Sequence, residues 1–543
     1  MPFFQDDFRV TSQLTLNMGL RWELHTPMHD KFRGGNIFDF KYPGGRLLYI
    51  DKNYADLVNN AILAACCAQD TLINTDWKDW APRIGLAWRP FAASNSFVVR
   101  AGYGIFYDVL HNFYPAQSIT ENIPYLSPVL PTPNGFENPP PLDIRNLFPA
   151  PYSVAQRSFP PPYCQAPSRQ VVNPATGVVT EVLNQCSDAR VQLPDNKTPY
   201  TQQWGLDLQY QLLPSLMLEL GYEGSHGLRE PLAWSFNQAY LPSQVGNTNN
   251  SVSYRSQCPP GAYPETCSPI EERVPYKNFA ATATALANIA QSMHHAMTFK
   301  VDRRFANGLS LLGSFTWGKT LDQSSELGGG ISGSSDRAQY SHDLRAEKGP
   351  AGFNQSRRLV VSWVYELPFG QGKAFLNRGG YVNAILGGWQ ANGILTLADG
   401  TPTNVICGCG DRSQTGDTRN SLRMNVIGGP TSGFHQTLTR WFDTSKFATP
   451  PLGTLGNAGR NILTSTGQRA TDFSLFKNVR IHEQLQAQLR VEAFNLLASD
   501  YYSPVFPNAS STAVNFGSLL PVGGNKYDLY NPRIYQLGVR LSF

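Results

Sequence analysis

The segment from Tyr535 to Phe543 alternates apolar side chains with polar or small ones at every position. Successive side chains of a β-strand point to opposite faces, so this segment would have one apolar face and one polar face. The apolar face consists of Tyr535, Leu537, Val539, Leu541 and Phe543. Such a strand suits a soluble sandwich or a membrane barrel, but only the barrel requires the same pattern along the whole chain.

The alternation recurs in eleven other segments, and Leu14 to Leu24 is the clearest of them. These segments have the length of a tilted strand that crosses a bilayer. Phe3 to Val10 could form a thirteenth strand. The remaining ten are residues 84–89, 97–105, 204–210, 216–222, 297–302, 309–317, 359–365, 389–397, 473–481 and 485–493. Asn307-Gly308 separates two of them and is a strong hairpin signal.

The connections between these segments alternate between long and mostly short along the chain. Short periplasmic turns and long external loops are typical of outer-membrane barrels, whereas a soluble sandwich has no reason for such sorting. We therefore expect an all-β fold, an antiparallel transmembrane β-barrel with about 12–14 strands in this sequence. The predicted external loops are residues 25–82, 108–202, 224–294, 319–356, 399–470 and 497–533.

The composition excludes several other classes. Only 15% of residues are charged and 12% are aromatic, which argues against disorder and, with 47 Gly and 40 Pro, against a helical protein. A net charge of +4 without a basic run excludes a nucleic-acid partner. The nearest candidate for a membrane helix, Phe279 to Phe299, is interrupted by polar residues. Met1 to Asp7 has no secretory signal, so we expect an N-terminally truncated fragment or a misplaced start.

All eight cysteines fall in the predicted external loops and none in a predicted strand. An even number in an oxidising compartment predicts disulfides, and our candidates are Cys164 with Cys186 and Cys258 with Cys267. Sequence alone does not fix this connectivity. Cys407-Gly408-Cys409 could instead be part of a metal site, but no His or second Cys pair lies at ligand spacing, so a disulfide is favoured.

Two basic residues break the predicted apolar faces. Lys477 lies between Leu475 and Val479, and we expect a β-bulge there that turns Phe476 outward in place of a lipid-facing charge. Arg303 lies near a strand end, where its side chain can reach the interface. Aromatic residues near strand ends either form a membrane-interface belt or are ordinary core residues; they are Trp22, Trp88, Tyr103, Tyr222 and Trp317.

Nothing in the sequence supports catalysis. His294 and His295 would point to opposite faces of a strand, which is poor geometry for binding one metal ion. Nucleophile-elbow, phosphate-loop and HExxH motifs are absent from the sequence. We therefore expect no enzymatic activity, no catalytic residue, no bound metal and no cofactor.

An ordered set of short motifs resembles the barrel of Oar-like TonB-dependent receptors and extends over essentially the whole chain. The motifs are Gln5 to Val10, Leu14 to Arg21, Ala81 to Gly85, Gly102 to Asp108, Thr198 to Trp204, Phe315 to Lys319, Tyr365 to Gly370, Gly387 to Gln390, Gly456 to Asn461 and Glu492 to Leu496. Such receptors also have a regulatory-like domain, a plug and a TonB box, which have no counterpart before Phe3. The resemblance thus implies a single barrel domain over residues 1–543 without a plug.

The resemblance implies a function and a set of partners. A full-length receptor would move a large, unidentified extracellular substrate across the outer membrane, coupled to the TonB complex through the plug. Loops 108–202 and 399–470 are our candidates for substrate contact because they are long and external. The barrel would contact outer-membrane lipid, and Phe543 resembles the terminal aromatic that the barrel-insertion machinery recognises. Alternatives are an adhesion or surface-organising barrel and a secreted all-β enzyme acting on polysaccharide.

Overall fold

The computed structural model describes residues 1–27, 33, 35–58, 64–91, 96–108, 169–172, 179–182, 189–244, 270–276, 279–325, 337–416, 421–481, 485–497, 508–510, 516–518 and 533–543. Its main feature is one large sheet, in which each strand pairs with the next along an antiparallel path. The strands on this path are β1 (Phe3–Arg9), β2 (Leu14–Trp22), β6 (Trp80–Trp88), β7 (Phe97–Tyr107), β11 (Tyr200–Leu213), β12 (Leu216–Trp234), β13 (Thr284–Ala306), β14 (Leu309–Asp322), β16 (Arg357–Glu366), β17 (Trp389–Ala398), β22 (Gln468–Arg480), β23 (Gln486–Phe494) and β25 (Ile534–Ser542). These wall strands confirm the twelve predicted segments and the additional one at the N-terminus.

The other elements are short and belong to the connections. The strands are β3 (Asn36–Asp39), β4 (Arg46–Tyr49), β5 (Ala64–Cys66), β8 (Arg169–Val172), β9 (Val179–Val182), β10 (Arg190–Gln192), β15 (Gly349–Pro350), β18 (Pro402–Ile406), β19 (Asn425–Val426), β20 (Phe447–Ala448), β21 (Leu463–Thr464) and β24 (Asn508–Ser510). The helices are α1 (Lys52–Val58), α2 (Ile270–Arg273) and α3 (Gly380–Leu386), with 3-10 turns at Leu344–Glu347 and Thr444–Lys446. Among the described residues no helix has the length and apolarity needed to cross a membrane.

The strand register keeps the apolar residues of neighbouring strands on one face of the sheet. Leu475 of β22 lies opposite Val491 of β23, and Val491 lies opposite Leu537 of β25. On the preceding strands, Phe315 of β14 lies opposite Leu359 of β16. Since a shift of one residue would move every side chain to the other face, the pairing and the sequence pattern support each other. The predicted apolar and polar faces are therefore present in the sheet.

The connections alternate in length as the sequence predicted. Pro214-Ser215 joins β11 to β12, and Asn307-Gly308 joins β13 to β14. Asn307 and Gly308 have φ angles of 53° and 81°. Two central residues with positive φ form the turn whose twist matches an antiparallel hairpin. The long connections all lie at the opposite end of the sheet, and we refer to their described parts, residues 23–79, 189–199, 235–283, 323–356 and 399–467, as the loop cap.

Two wall strands extend much further than the sequence indicated. The predicted loop 224–294 was too long, because β12 has 19 residues and β13 has 23, so the actual connection covers only 235–283. About nine to eleven residues suffice to cross a bilayer, so both strands project into the loop cap. The alanine-rich run near residue 285 forms the projecting part of β13. Its small side chains are buried because loop elements pack directly on them; they include Ala283, Ala285, Ala287 and Ala290.

The loop cap has apolar cores of its own. One core centres on Phe38, whose ring centroid lies 4.7 Å from that of Phe236 and 4.9 Å from that of Phe279. β10 pairs in parallel with the start of β13, so this core is attached to the wall through backbone hydrogen bonds. A second core lies within residues 399–467 and includes Val405 and Phe442. The long connections are thus folded structures.

Lys477 corrects one prediction. The register of β22 with β17 and with β23 is continuous through Lys477, so the expected β-bulge is absent and Phe476 keeps its place on the polar face. The Lys477 side chain is buried by α3 and donates to the carbonyl oxygens of Ile385, at 3.2 Å, and of Gly387. Carbonyl groups at the C-terminal end of a helix attract a cation, which explains why the charge is tolerated.

The cysteine predictions have mixed outcomes. The expectation that no cysteine lies in a strand is wrong for Cys66, which ends β5, because the predicted loop around it folds into a small sheet of its own. Disulfides join Cys66 to Cys67 and Cys407 to Cys409. The four candidate disulfide residues lie outside the described residues, and those pairings remain predictions; they are Cys164, Cys186, Cys258 and Cys267.

Candidate functional site

Large apolar side chains are exposed on the apolar face of most wall strands. In the predicted C-terminal strand the exposed fractions are 63% for Tyr535, 79% for Leu537, 70% for Val539 and 57% for Leu541, and Phe543 is 99% exposed. Soluble proteins rarely expose contiguous apolar patches larger than a few hundred Å². A continuous apolar band of this kind fits hydrocarbon, so the opposite, polar face fits a water-filled interior.

Aromatic residues border the apolar band, as predicted. At the end that carries the loop cap, Trp22 stacks on Trp77 and Trp80 with centroids 6.2 and 5.9 Å away. At the short-turn end, Trp88 is 44% exposed on the same face. Amphipathic rings favour the interface between headgroups and hydrocarbon. The two aromatic borders mark the ends of the membrane-spanning part of the wall.

His294 and His295 point to opposite faces, as the sequence predicted. The imidazole of His295 lies on the apolar face, where its Nδ1 is 2.9 Å from the hydroxyl of Tyr222 in the aromatic border. His294 lies on the polar face, with Nδ1 2.8 Å from Thr320 Oγ1 and Nε2 3.6 Å from Glu223 Oε1. The pair is therefore divided between membrane interface and interior.

The polar face carries a groove of about 650 Å³ across the wall from β6 to β13. We define the polar groove by its chemically distinctive residues, Arg83, Arg100, Phe106, Asp207, Glu223 and His294. Both cations and carboxylates are present, so the groove offers paired charges to a ligand. The guanidinium carbon of Arg83 lies 4.5 Å from the centroid of the Phe106 ring, within the range of a cation–π contact.

Glycines form the floor between these charges. Gly85, Gly102 and Gly205 lie side by side on three neighbouring strands. A Cβ atom at any of them would come no closer than 3.5 Å to a neighbouring atom, so packing alone does not require glycine there. The row exposes bare backbone to the interior, and glycine within a strand often marks a close approach by a ligand or another chain segment.

Two buried arginines join the parts of the loop cap. Arg423 donates from Nη1 to Glu347 Oε2 at 2.6 Å and from Nη2 to Glu347 Oε1 at 3.2 Å. The side chains of Arg423 and Glu347 are only 4% and 1% exposed. Arg423 also donates from Nε to the carbonyl oxygen of Ala458, and Glu347 accepts from the backbone N–H of Gln339. The connection after β14 is thereby fixed to the connection after β17.

Arg460 makes a second junction beside the first. It pairs with the carboxylate of Asp322 and donates to the carbonyl oxygens of Glu347 and Asp322, each at 2.9 Å. Burial lowers the pKa of the Arg460 guanidinium to about 10, so it stays charged near neutral pH. The sequence indicated no role for either arginine, because their carboxylate partners, Glu347 and Asp322, lie 76 and 138 residues away along the chain.

A cluster of ionisable residues lies where the loop cap meets the wall. Asp79 is 1% exposed, accepts from Thr198 Oγ1 at 2.7 Å and lies 3.8 Å from His25 Nδ1. Burial raises the pKa of Asp79, and the hydrogen bond from Thr198 opposes that rise. Within the described part of the chain, no group of three or more potential metal ligands is assembled.

The wall and the polar interior define the class of this chain as a membrane-spanning β-barrel protein. The chain matches the family described as outer membrane beta barrel domain over residues 1–536 and therefore belongs to it. The predicted fold class and the outer-membrane location are thereby confirmed. No curated protein matches the chain.

Several solved structures of outer-membrane proteins are similar to the chain. The outer membrane transporter YddB from Escherichia coli has 10% identity and a TM-score of 0.41, with 98% of this chain and 43% of that one covered. The FrpB iron transporter from Neisseria meningitidis has 10% identity and a TM-score of 0.39, with 99% and 44% covered. The pyoverdine outer membrane receptor FpvA from Pseudomonas aeruginosa has 9% identity and a TM-score of 0.38, with 100% and 41% covered. The chain spans about two fifths of the length of these proteins.

Proposed function

We propose that this chain is the barrel portion of an Oar-like TonB-dependent receptor that moves a large substrate across the outer membrane. The observation that carries the proposal is the polar groove, with charged side chains and a glycine floor facing the interior. A wall of thirteen strands is far wider than the eight-stranded barrels whose interiors are filled by side chains. The ordered sequence motifs support the Oar-like assignment.

Residues 1–543 act as one barrel domain in this proposal. In this proposal a plug closes the interior, and a TonB box couples the plug to the inner membrane. The glycine row would allow the plug or a passing substrate to approach the wall closely. No step in this function requires a cofactor or a catalytic residue, so we assign no enzymatic activity.

The loop cap is the part that would meet the substrate first. Of the two loops predicted to contact substrate, 108–202 lies largely outside the described residues, whereas 399–470 is described except for 417–420. The second loop presents Arg440 with its guanidinium carbon 5.2 Å from the centroid of the Phe434 ring, and Ile427 is 66% exposed nearby along the chain. These residues offer a mixed basic and apolar surface on a folded support.

An adhesion or surface-organising barrel is the second candidate. The two buried arginine junctions favour this candidate, because they hold the loop cap in a fixed shape that suits recognition of a partner without transport. The outer-membrane location leaves no place for the secreted-enzyme alternative.

Depletion of the culture medium tests the proposal. Cells that produce the intact protein, cells that lack it and cells that lack TonB would be incubated with size-fractionated medium, and mass spectrometry would identify depleted compounds. A transporter depletes at least one compound only when both the protein and TonB are present. An adhesion barrel binds material equally well without TonB, and that result would refute the transport proposal.

Substitutions in the polar groove test whether the substrate passes through it. Arg83→Gln with Arg100→Gln removes both cations of the groove and should reduce TonB-dependent depletion. Arg540→Gln provides a matched control, because Arg540 faces the interior on β25, away from the groove. Equal depletion by the double variant and the control would exclude the groove from the substrate path.

A further inference from the structure

The connection between β16 and β17 is unusually long for the short-turn end of the wall. It covers residues 367–388 and includes α3. The other connections between wall strands at this end are residues 10–13, 89–96, 214–215, 307–308 and 481–485. Short turns suffice at the periplasmic end of a barrel, so the hairpin itself does not require the additional residues. We refer to residues 367–388 as the β16–β17 segment.

The end of α3 is fixed on the membrane-facing side of the wall. Trp389 and Lys477 lie opposite each other on the apolar face of β17 and β22. Trp389 donates from Nε1 to the carbonyl oxygen of Ile385 at 2.9 Å. Lys477 donates from Nζ to the same oxygen at 3.2 Å and also to the carbonyl oxygen of Gly387. Both side chains leave the wall on its apolar face, so α3 ends outside the barrel, beside the hydrocarbon-facing surface.

Hydrogen bonds hold the β16–β17 segment together as a folded unit. The backbone N–H of Phe375 donates to the carbonyl oxygen of Pro368 at 2.9 Å, and that of Gly370 donates to the carbonyl oxygen of Phe375 at 3.1 Å. In the middle of α3, Asn383 accepts through Oδ1 from the backbone N–H of Gln371 at 2.8 Å. The polar side of α3 therefore faces the rest of the segment.

The other side of α3 exposes large apolar side chains. Tyr381 is 90% exposed and Ile385 is 66% exposed. Residues four apart lie on the same side of a helix, whereas Asn383, two residues from each, lies on the other. Phe375 and Leu376 extend this apolar surface, with exposed fractions of 59% and 49%. The surface adjoins the apolar band of the wall, since α3 ends on that band.

The β16–β17 segment is also basic. Residues 367–388 contain Lys373 and Arg378 but no Asp or Glu. Lys373 pairs with Glu366 of β16 at 2.8 Å, and Arg378 is exposed. A basic segment with aromatic and aliphatic side chains on one side is typical of elements that lie in a membrane interface.

We propose that the β16–β17 segment is an interfacial anchor. It inserts Tyr381 and Ile385 into the periplasmic leaflet of the outer membrane and places Arg378 among anionic phospholipid headgroups. Continuity with the apolar band favours a lipid leaflet, because a soluble partner would have to displace lipid from the wall to cover the same surface. The proposal does not depend on transport and applies equally to an adhesion barrel.

Photocrosslinking in cells identifies what covers the segment. Benzoylphenylalanine would replace Tyr381 in the intact protein, and its high exposure means that the replacement disturbs little packing. We expect phospholipid adducts on the peptide that contains position 381, detected by mass spectrometry. The matched control places the same probe at Asn478, which follows Lys477 but faces the interior and should give no such adduct. Adducts at position 381 with another protein or with a second copy of the chain, or equal phospholipid adducts at both positions, would overturn the proposal.

Arg378→Gln tests the headgroup contact in bilayers that contain equal amounts of phosphatidylglycerol and phosphatidylethanolamine. The ratio of phosphatidylglycerol to phosphatidylethanolamine adducts at position 381 should decrease by about fivefold, the effect of one basic residue near an anionic surface. Arg490→Gln is the control, because Arg490 lies on the polar face of the same wall, and it should leave the ratio unchanged. Equal ratios in the two variants would overturn the assignment of Arg378 to anionic headgroups.

Discussion

The buried pair of Arg423 and Glu347 leads to the most specific stability prediction. Glu347→Gln keeps the size of the side chain but removes the charge that compensates the Arg423 guanidinium, which is 4% exposed. Leaving one partner of a buried ion pair uncompensated typically costs about 3–5 kcal/mol. That range corresponds to an increase of roughly 150- to 5,000-fold in the equilibrium constant for opening the junction.

The effect should be confined to the loop cap. The pair joins two long connections, and neither partner lies in the part of the wall that crosses the membrane. Hydrogen exchange should therefore accelerate in residues 339–347 and 421–426, while the amides of β16 and β17 keep their protection. Barrel folding, measured by the shift in electrophoretic mobility on heating, should be unchanged.

An exposed ion pair provides the matched control. Glu366 and Lys373 are joined at 2.8 Å, but their side chains are 39% and 40% exposed. Exposed pairs contribute about 0–1 kcal/mol, so Glu366→Gln should change local exchange by less than about sixfold. Equal small effects of Glu347→Gln and Glu366→Gln would refute the role assigned to the buried pair.

Three further predictions concern other parts of the chain. Leu537→Arg, at mid-depth on the apolar face of β25, should destabilise the barrel in lipid vesicles by about 2–4 kcal/mol in denaturant titration, whereas Gln536→Arg on the polar face should have little effect. Lys477→Met should increase protease cleavage within residues 370–388, because the carbonyl groups at the end of α3 lose their cation; unchanged cleavage would contradict this role. Burial lowers the pKa of His342, so the loop cap binds more protons when it is open than when it is closed. Protection of the loop cap from hydrogen exchange should therefore decrease as the pH falls below about 6.5. His342→Gln should abolish that part of the pH dependence.

The sequence predicted the wall well because one physical rule governs it. A strand between lipid and water must alternate its side chains, and the apolar rows that include Leu475, Val491 and Leu537 follow directly from this requirement. Turn chemistry is equally local, as Asn307 and Gly308 show. The strand ends beyond the membrane were less predictable. The sequence pattern assigned the alanines of β13 to a loop, because their packing partners lie in other parts of the chain.

The loop cap and the charged sites depended on contacts that the sequence does not display. Lys477 was expected to avoid the apolar face, but α3, about 90 residues earlier in the chain, provides carbonyl groups for it. In the sequence, Arg423 resembles an ordinary loop arginine, and the motif that contains Arg460 does not indicate its partner. Their importance arises only when two long connections meet, because burial turns each into a charge that must be compensated.

Cations on the apolar face have hydrogen-bond acceptors at both ends of the wall, as expected from the cost of an uncompensated charge beside hydrocarbon. At the periplasmic end, Lys477 donates to α3 and Arg303 donates to the carbonyl oxygen of Ala306 at 3.4 Å. At the extracellular end, Arg357 donates to the carboxylate of Asp399 from Nε at 2.8 Å and from Nη2 at 3.1 Å. Each long side chain can therefore lie along the apolar surface while its charged group stays beside an acceptor. The sequence pattern identifies these residues on the apolar face, but the acceptors lie 3 to 92 residues away along the chain, so only the structure shows how each charge is compensated.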